Sequence, residues 1–198
     1  LSQATAAITQ SMGIEHTVAP MSDSPVRTIV HSDQGDLAFQ HYFVREGCGP
    51  KVSGFSFDGI ANAELNPLIR EWLADCDGVI ICPSNPFVSV DPMLHLDGFG
   101  EALKSLPVIA VSPIVGGIAI KGPAAKMMLE LNMPATALAV ADHYQGLIDG
   151  FVVDQTDAAL VEQFNVPTIS TPSVMVTLQD RIDLARTCVS FLASLSSN

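Results

Sequence analysis

Two lysines and two glycines crowd one short stretch of this sequence. Between Ser112 and Met128 it reads SPIVGGIAIKGPAAKMM, with Gly116 and Gly117 paired and Lys121 and Lys126 on either side of a Gly-Pro. Glycine backbone presents N–H groups without a Cβ in the way. A glycine turn that opens a helix, with cations nearby, is suited to holding an anion such as a phosphate. A second loop upstream, PSNPFVSVDPM, places Ser84, Asn85 and Ser89 among Pro83 and Pro86. Hydroxyl and amide groups there can donate to phosphate or sugar oxygens, and the prolines stiffen the backbone. Each loop taken alone also reads as ordinary: an Asx or Ser turn in the first, a flexible turn with solvated lysines in the second.

Other chemistry is excluded by spacing. A P-loop needs Gly-Lys-Ser or Gly-Lys-Thr, but here Lys121 precedes Gly122 and Pro123 follows it. No G-x-G-x-x-G turn, no G-x-S-x-G elbow and no cysteine beside a base occurs. The four cysteines are scattered without C-x-x-C or zinc spacing, which predicts free thiols in a reducing, cytoplasmic setting. His95 and Asp97 have no companions at metal spacing. His143 and Tyr144 fall late in a helix and can reach an adjacent loop, but a helix-terminal histidine more simply serves the dipole and packing. Asp23 reads as a turn residue, and Arg181 and Arg186 with Asp180 and Asp183 as an ion-paired, solvated face.

Both loops need a scaffold that brings them to one edge. GVIIC, PVIAVS and IDGFVVD are short apolar runs with the look of buried strands, PTISTP makes a fourth strand, and helical segments separate them. That alternation predicts an α/β fold, a Rossmann-like, doubly wound, mostly parallel sheet with helices on both faces. Its ligands bind beyond the carboxyl ends of the strands, where the two polar loops open. Asn66 followed by Pro67 opens one helix, and Leu178 to Leu195 forms the last. Before this pattern lies a region without helical period, in which VRTIVHS, the turn at DQGD and LAFQHYFV predict a hairpin and KVSGFSFDG a further strand. The expected organisation is a helix of the main domain over residues 1–13, a small β-rich subregion over 14–59 and the main α/β domain over 60–198.

The 198 residues carry nine Lys and Arg against 21 Asp and Glu, a net charge of −12. A field of that sign disfavours nucleic acid and anionic membrane surfaces, so an anionic ligand needs a local basic pocket. No apolar run reaches the roughly 18 residues of a membrane span, and no leader-like segment opens the chain. The low charged share, 15%, points to surface covered by another subunit or by further sequence.

The segments ICPSNPFVSVDPML and PVIAVSPIVGGIAIKGPAAKMM, with PMSDSPVRT, FQHYFVRE and ADHYQGLIDGFVVD, closely resemble the 2-phospho-L-lactate transferase family, which builds a deazaflavin coenzyme. The resemblance runs over nearly the whole chain. It implies a magnesium-dependent transfer in which the ribityl hydroxyl of deazariboflavin Fo attacks the diphosphate of a guanosine-linked donor and GMP leaves. The donor carries phospholactate or a related phospho-acid. The matching positions are Ser84, Asn85, Pro86, Ser89, Ser112, Gly116, Gly117, Lys121, Gly122 and Lys126. By that resemblance they hold the donor's diphosphate and nucleotide, with Lys121 and Lys126 as the candidate charge stabilisers. It also implies a homodimer. Family members begin with a strand, a glycine-rich turn and acidic magnesium ligands that have no counterpart here, so the chain resembles the C-terminal two-thirds of such an enzyme. A non-catalytic nucleotide or nucleotide-sugar binding protein of the same fold is the alternative expectation.

Overall fold

A computed structural model describes residues 1–195. The chain opens with helix α1 (Ser2–Ser11), then forms β1 (Arg27–Ser32), β2 (Gly35–Ala38), a helical turn at His41–Arg45 and β3 (Val52–Asp58). A short turn at Ile60–Asn62 leads to α2 (Pro67–Asp75), β4 (Val79–Ile81), a helical turn at Pro86–Val90, α3 (Asp91–Leu94) and α4 (Phe99–Leu103). Then come β5 (Val108–Val111), β6 (Ile114–Val115), β7 (Ile118–Ala119), α5 (Ala124–Glu130) and α6 (Ala137–His143). The last elements are β8 (Gly150–Asp154), a 3₁₀ segment at Gln155–Gln163, β9 (Thr168–Thr171) and α7 (Leu178–Leu195).

Strands β4, β5, β8 and β9 make one parallel sheet in that order. The two inner strands, β5 and β8, are buried at every position, as their unbroken apolar sequences require. Alternation splits them between two cores. Ile109, Val111 and Val152 face Leu184 and Cys188 of α7. Val108, Ala110, Phe151 and Val153 face the other way and join Leu103, Met127, Met128 and Val140 from the connecting helices. Each buried Val, Leu, Ile, Phe or Met among them contributes roughly 1.5–3 kcal/mol by leaving water. Helices thus flank both faces. A parallel sheet that grows in one direction puts its right-handed crossovers on one face. Accordingly all the connections between strands pack on the second core, and α7 covers the first.

The antiparallel sheet, ordered β2-β1-β3, lies apart from the parallel one but shares its larger core through Val30, Tyr42 and Val52. Phe55 of β3 stacks on Phe87 of the Pro86–Val90 turn at 5.6 Å, tying this sheet to the loop that follows β4. The hairpin expected over LAFQHYFV is shorter than its sequence suggests. After Ala38 the chain turns helical, burying Tyr42 and stacking Phe39 on Phe43.

Local chemistry fixes the element ends. Asn66 Oδ1 accepts from the Leu68 N–H at 3.0 Å, with Pro67 at the first helical position of α2. Asp180 Oδ2 accepts from the N–H groups of Val176 and Thr177, while Thr177 Oγ1 accepts from the Asp180 N–H, a reciprocal cap on α7. Asp23, expected in a turn, accepts from the Ser2 N–H and hydroxyl and caps α1 from outside. Among the described residues no helix is long and apolar enough to cross a membrane.

Candidate active site

A cleft of about 230 Å³ opens at the carboxyl edge of the parallel sheet. Pro83, Ser84 and Asn85 line it from the loop after β4, and Ser112 and Pro113 from the end of β5. Ile120, Lys121 and Ala124 enter from the run into α5, and Ser173, Val174 and Met175 from the loop after β9. The two loops singled out in the sequence therefore do meet.

Within this cleft the groups differ in freedom. Ser112 is buried, and its hydroxyl is used locally, donating to the Ile114 carbonyl at 2.8 Å and accepting from the Ile114 N–H. Asn85 Oδ1 accepts from the Phe87 N–H at 3.0 Å, and its amide nitrogen rests 3.2 Å from the Met127 sulfur. That leaves donor capacity on Asn85 for a ligand. The Ser84 hydroxyl and the Lys121 amine have no partner among the described residues. Lys121 is the one charged group in the lining, and no carboxylate shares it. In a chain of net charge −12 this is a local positive pole suited to an anion.

Other expected site residues lie elsewhere. Pro86 is buried in the core. Ser89 faces a neighbouring apolar groove along β4, not the cleft. Gly122 is exposed at a φ of +70° and does not reach the lining. Gly116 and Gly117 do not open a helix. They are the two central residues of a tight hairpin between β6 and β7, with φ of +56° and +81°. Positive φ at both positions is the type I′ geometry, for which a Gly-Gly pair between short apolar runs is a strong signal. The Gly116 N–H is already spent, donating to Asp157 Oδ2 at 2.9 Å.

Lys126 is likewise turned away. On α5 the side chains of Ala124, Met127 and Met128 are buried, and Lys126 shares a different face with Glu130 one turn later. Its amine lies 2.6 Å from Glu130 Oε1 and donates to the Pro50 carbonyl at 2.9 Å. Glu130 Oε2 in turn accepts from the Val52 N–H at 3.0 Å. Lys126 thus pins α5 to the antiparallel sheet. Burial works to lower its pKa, but the Glu130 hydrogen bond and the nearby Tyr42 outweigh it, so the amine stays charged beyond the ordinary lysine range. The Tyr42 phenol itself is pushed up, chiefly by burial.

His143 does reach the first loop, near its end: its Nε2 lies 2.8 Å from Asp91 Oδ1. Neither residue lines the cleft. Among the described residues no group of three His, Cys, Asp or Glu is placed to hold a metal. Asp154 and Asp157, which hold Ser173 and Gly116 in place, are committed to internal hydrogen bonds. Among the described residues no set fits a magnesium site.

A family model for 2-phospho-L-lactate transferase CofD matches residues 1–180. The chain belongs to the 2-phospho-L-lactate transferase family. A protein of that name from Methanococcoides burtonii is 37% identical over 186 residues, covering 92% of this chain and 61% of the relative. Another from Methanosarcina barkeri is 38% identical over 147 residues, or 74% of this chain and 48% of the relative. The chain thus spans about half to three-fifths of the length of these transferases. A crystal structure of a UPF0052-family protein from Bacillus halodurans superposes with a TM-score of 0.60 at 16% identity, over 93% of this chain and 66% of that one. At that identity it supports the α/β fold.

The third wall of the cleft, Ser173–Met175, was not foreseen from the sequence. The signal was present: β9 is parallel to β4 and β5, so the loop that follows it had to open on the same edge.

Proposed function

We propose that this chain supplies the donor-binding part of a 2-phospho-L-lactate transferase. The donor is a guanosine diphosphate-linked phospho-acid, phospholactate or a close relative, and the acceptor is the ribityl hydroxyl of deazariboflavin Fo, with release of GMP. The observation that carries the reading is the cleft's polarity: Lys121 and the Ser84 hydroxyl stand unpartnered in a lining without a carboxylate. Reactions at a diphosphate are helped chiefly by positioning and by donors aimed at the phosphoryl oxygens. Lys121 supplies charge to those oxygens, and Ser84 and Asn85 supply directed hydrogen bonds. Any magnesium the reaction uses takes its ligands from outside the residues described here.

Calorimetric titration of GDP and then Fo into the chain, with and without magnesium, tests this. GDP should bind, and Lys121→Ala should weaken it by tenfold or more. GDP affinity unchanged by that substitution would remove the phosphate from this cleft.

A further inference from the structure

The turn that follows the cleft's polar donors is held from behind. Asn85 opens the helical turn at Pro86–Val90, and Asp91 closes it. Inside it Asn85 Oδ1 accepts from the Phe87 N–H, and the Asn85 carbonyl accepts from the Ser89 N–H at 3.1 Å. The turn is therefore one stiff unit. Whatever fixes Phe87 and Asp91 on its far side also fixes Asn85, and Ser84 before it, at the cleft.

His143 touches both of those residues. It is the last residue of α6, whose Ala137, Ala139 and Val140 are buried in the larger core, so packing sets its place. Its Nε2 donates to Asp91 Oδ1 across 2.8 Å, because a carboxylate only accepts. The two side chains are 23% and 17% exposed, so water competes weakly for that bond. The imidazole also meets the Phe87 ring edge-on at 5.3 Å. On the other side the turn rests on β3. Phe55 stacks on Phe87, and Phe57, two residues on and so on the same face of the strand, meets His95. His95 Nδ1 in turn lies 2.8 Å from the Asp91 carbonyl oxygen. An aspartate at the head of a helix ordinarily serves that helix's own N–H groups. Asp91 instead spends its carboxylate on a residue 52 positions along the chain.

We propose that His143 is a positioning residue: through Asp91 and Phe87 it clamps the turn from Asn85 to Asp91, so that Ser84 and Asn85 are held ready for the anion at Lys121. The proposal rests on the proposed function for the identity of that anion. Donors carried on a loop are placed less exactly than donors on a helix or strand, unless a supporting layer locks them. A loop already locked also avoids the ordering cost of binding.

Two readouts test it, one of them free of ligand. His143→Phe keeps a ring against Phe87 and removes the donor, Asp91→Ala removes the acceptor, and Asp91→Asn keeps an oxygen that can accept. Hydrogen exchange at the Phe87 and Ser89 amides, both bonded to Asn85, should quicken about fivefold or more in His143→Phe and Asp91→Ala. It should stay near wild type in Asp91→Asn, and the amides of β5 and β8 should not change in any of the three. Inorganic pyrophosphate is then titrated well below each melting temperature. Ser84→Ala should weaken it about five- to tenfold in the wild-type background and by less than about twofold in His143→Phe, where Ser84 is no longer held in place. Unchanged exchange at Phe87 and Ser89 in both His143→Phe and Asp91→Ala overturns the clamp. So does a loss of protection shared equally by β5 and β8, which is general destabilisation. If those amides open but Ser84→Ala costs as much as before, the positioning role is refuted. Coupling between Ser84 and His143 with no effect of Lys121→Ala would keep the positioning role and refute the placing of the anion at Lys121. A wild-type chain that does not bind pyrophosphate refutes the phosphate reading and the role in binding together, and exchange alone then decides the clamp.

Discussion

Lys121 and Lys126 look alike in the sequence, and the structure gives them opposite duties that one pair of substitutions can separate. Replacing Lys126 by Met keeps the stem and removes the charge. The Glu130 carboxylate, about one-sixth exposed, then loses its 2.6 Å partner, and the Pro50 carbonyl loses its donor. The lysine end is about one-third exposed, so screening tempers the pair to about 1 kcal/mol. The half-stranded carboxylate keeps its Val52 N–H and adds about as much again. The total, about 2 kcal/mol, corresponds to a fall of roughly 4–8 °C in melting temperature for a chain of this size. Lys121 is exposed and unpartnered, so Lys121→Met should change stability by no more than about 0.5 kcal/mol. Pyrophosphate affinity should show the reverse. Loss of a charged hydrogen bond costs about 1.5–3 kcal/mol, roughly ten- to hundredfold in Kd, for Lys121→Met, and nothing measurable for Lys126→Met. Thermal melts followed by calorimetric titration decide the matter. A Lys126→Met protein that melts like wild type but no longer binds pyrophosphate would refute the assignment.

Asp154 should leave a signature in acid. Burial alone would raise its pKa, but the bonds from Ser173 and Thr156 hold it below the usual carboxylate range. A depressed folded pKa gives stability that is present above about pH 4 and lost as pH falls through the folded value. The gap in melting temperature between wild type and Asp154→Asn should therefore be widest near neutrality and close below pH 4. Among the four free cysteines, Cys82 is exposed, whereas burial pushes the Cys188 thiol up to about 11. At pH 8 an alkylating reagent should mark Cys82 in the folded chain and leave Cys188 unmodified, as read by mass spectrometry. Stability should also decline from about pH 9 upward, as the unfolded Cys188 ionises and the folded one does not. Gly117→Ala places a Cβ at a φ of +81° in ordinary contact with the Ala135 carbonyl oxygen at 3.8 Å, so its cost is conformational, about 1 kcal/mol, measured as a shift in denaturant midpoint at unchanged slope.

The sequence was legible where one local rule decided the outcome. PVIAVS and IDGFVVD became the two fully buried strands, and Asn66-Pro67 opened α2 with the expected cap. Both polar loops reached one edge because parallel strands deliver their successors to one edge. Elsewhere two rules competed. Gly-Gly between IV and IA reads as a glycine turn that opens a helix, although the short apolar flanks fit a type I′ hairpin equally well. The helical segment between IDGFVVD and PTISTP forms as 3₁₀ turns, opened by Asp154 Oδ1 accepting from the Thr156 N–H. Lys126 was grouped with Lys121 by proximity. The (i, i+4) pair with Glu130 was visible in KMMLE and marked it for its own helix. What no local pattern carried was distance: Asp91 meets His143, and Asp154 meets Ser173, only after the sheet has assembled.

The uneven cover of the parallel sheet also has a meaning in time. Every connection between its strands packs on one face as it is made, so that side gains its core strand by strand. The opposite face waits for α7, the last of these elements to be synthesised. Until then Ile109, Val111 and Val152 lie against water on the nascent chain. During synthesis at about 5–20 residues per second, that interval is long compared with collapse. Until α7 has been made, the side of the sheet that it goes on to close is the one most open to a chaperone or to a neighbouring chain.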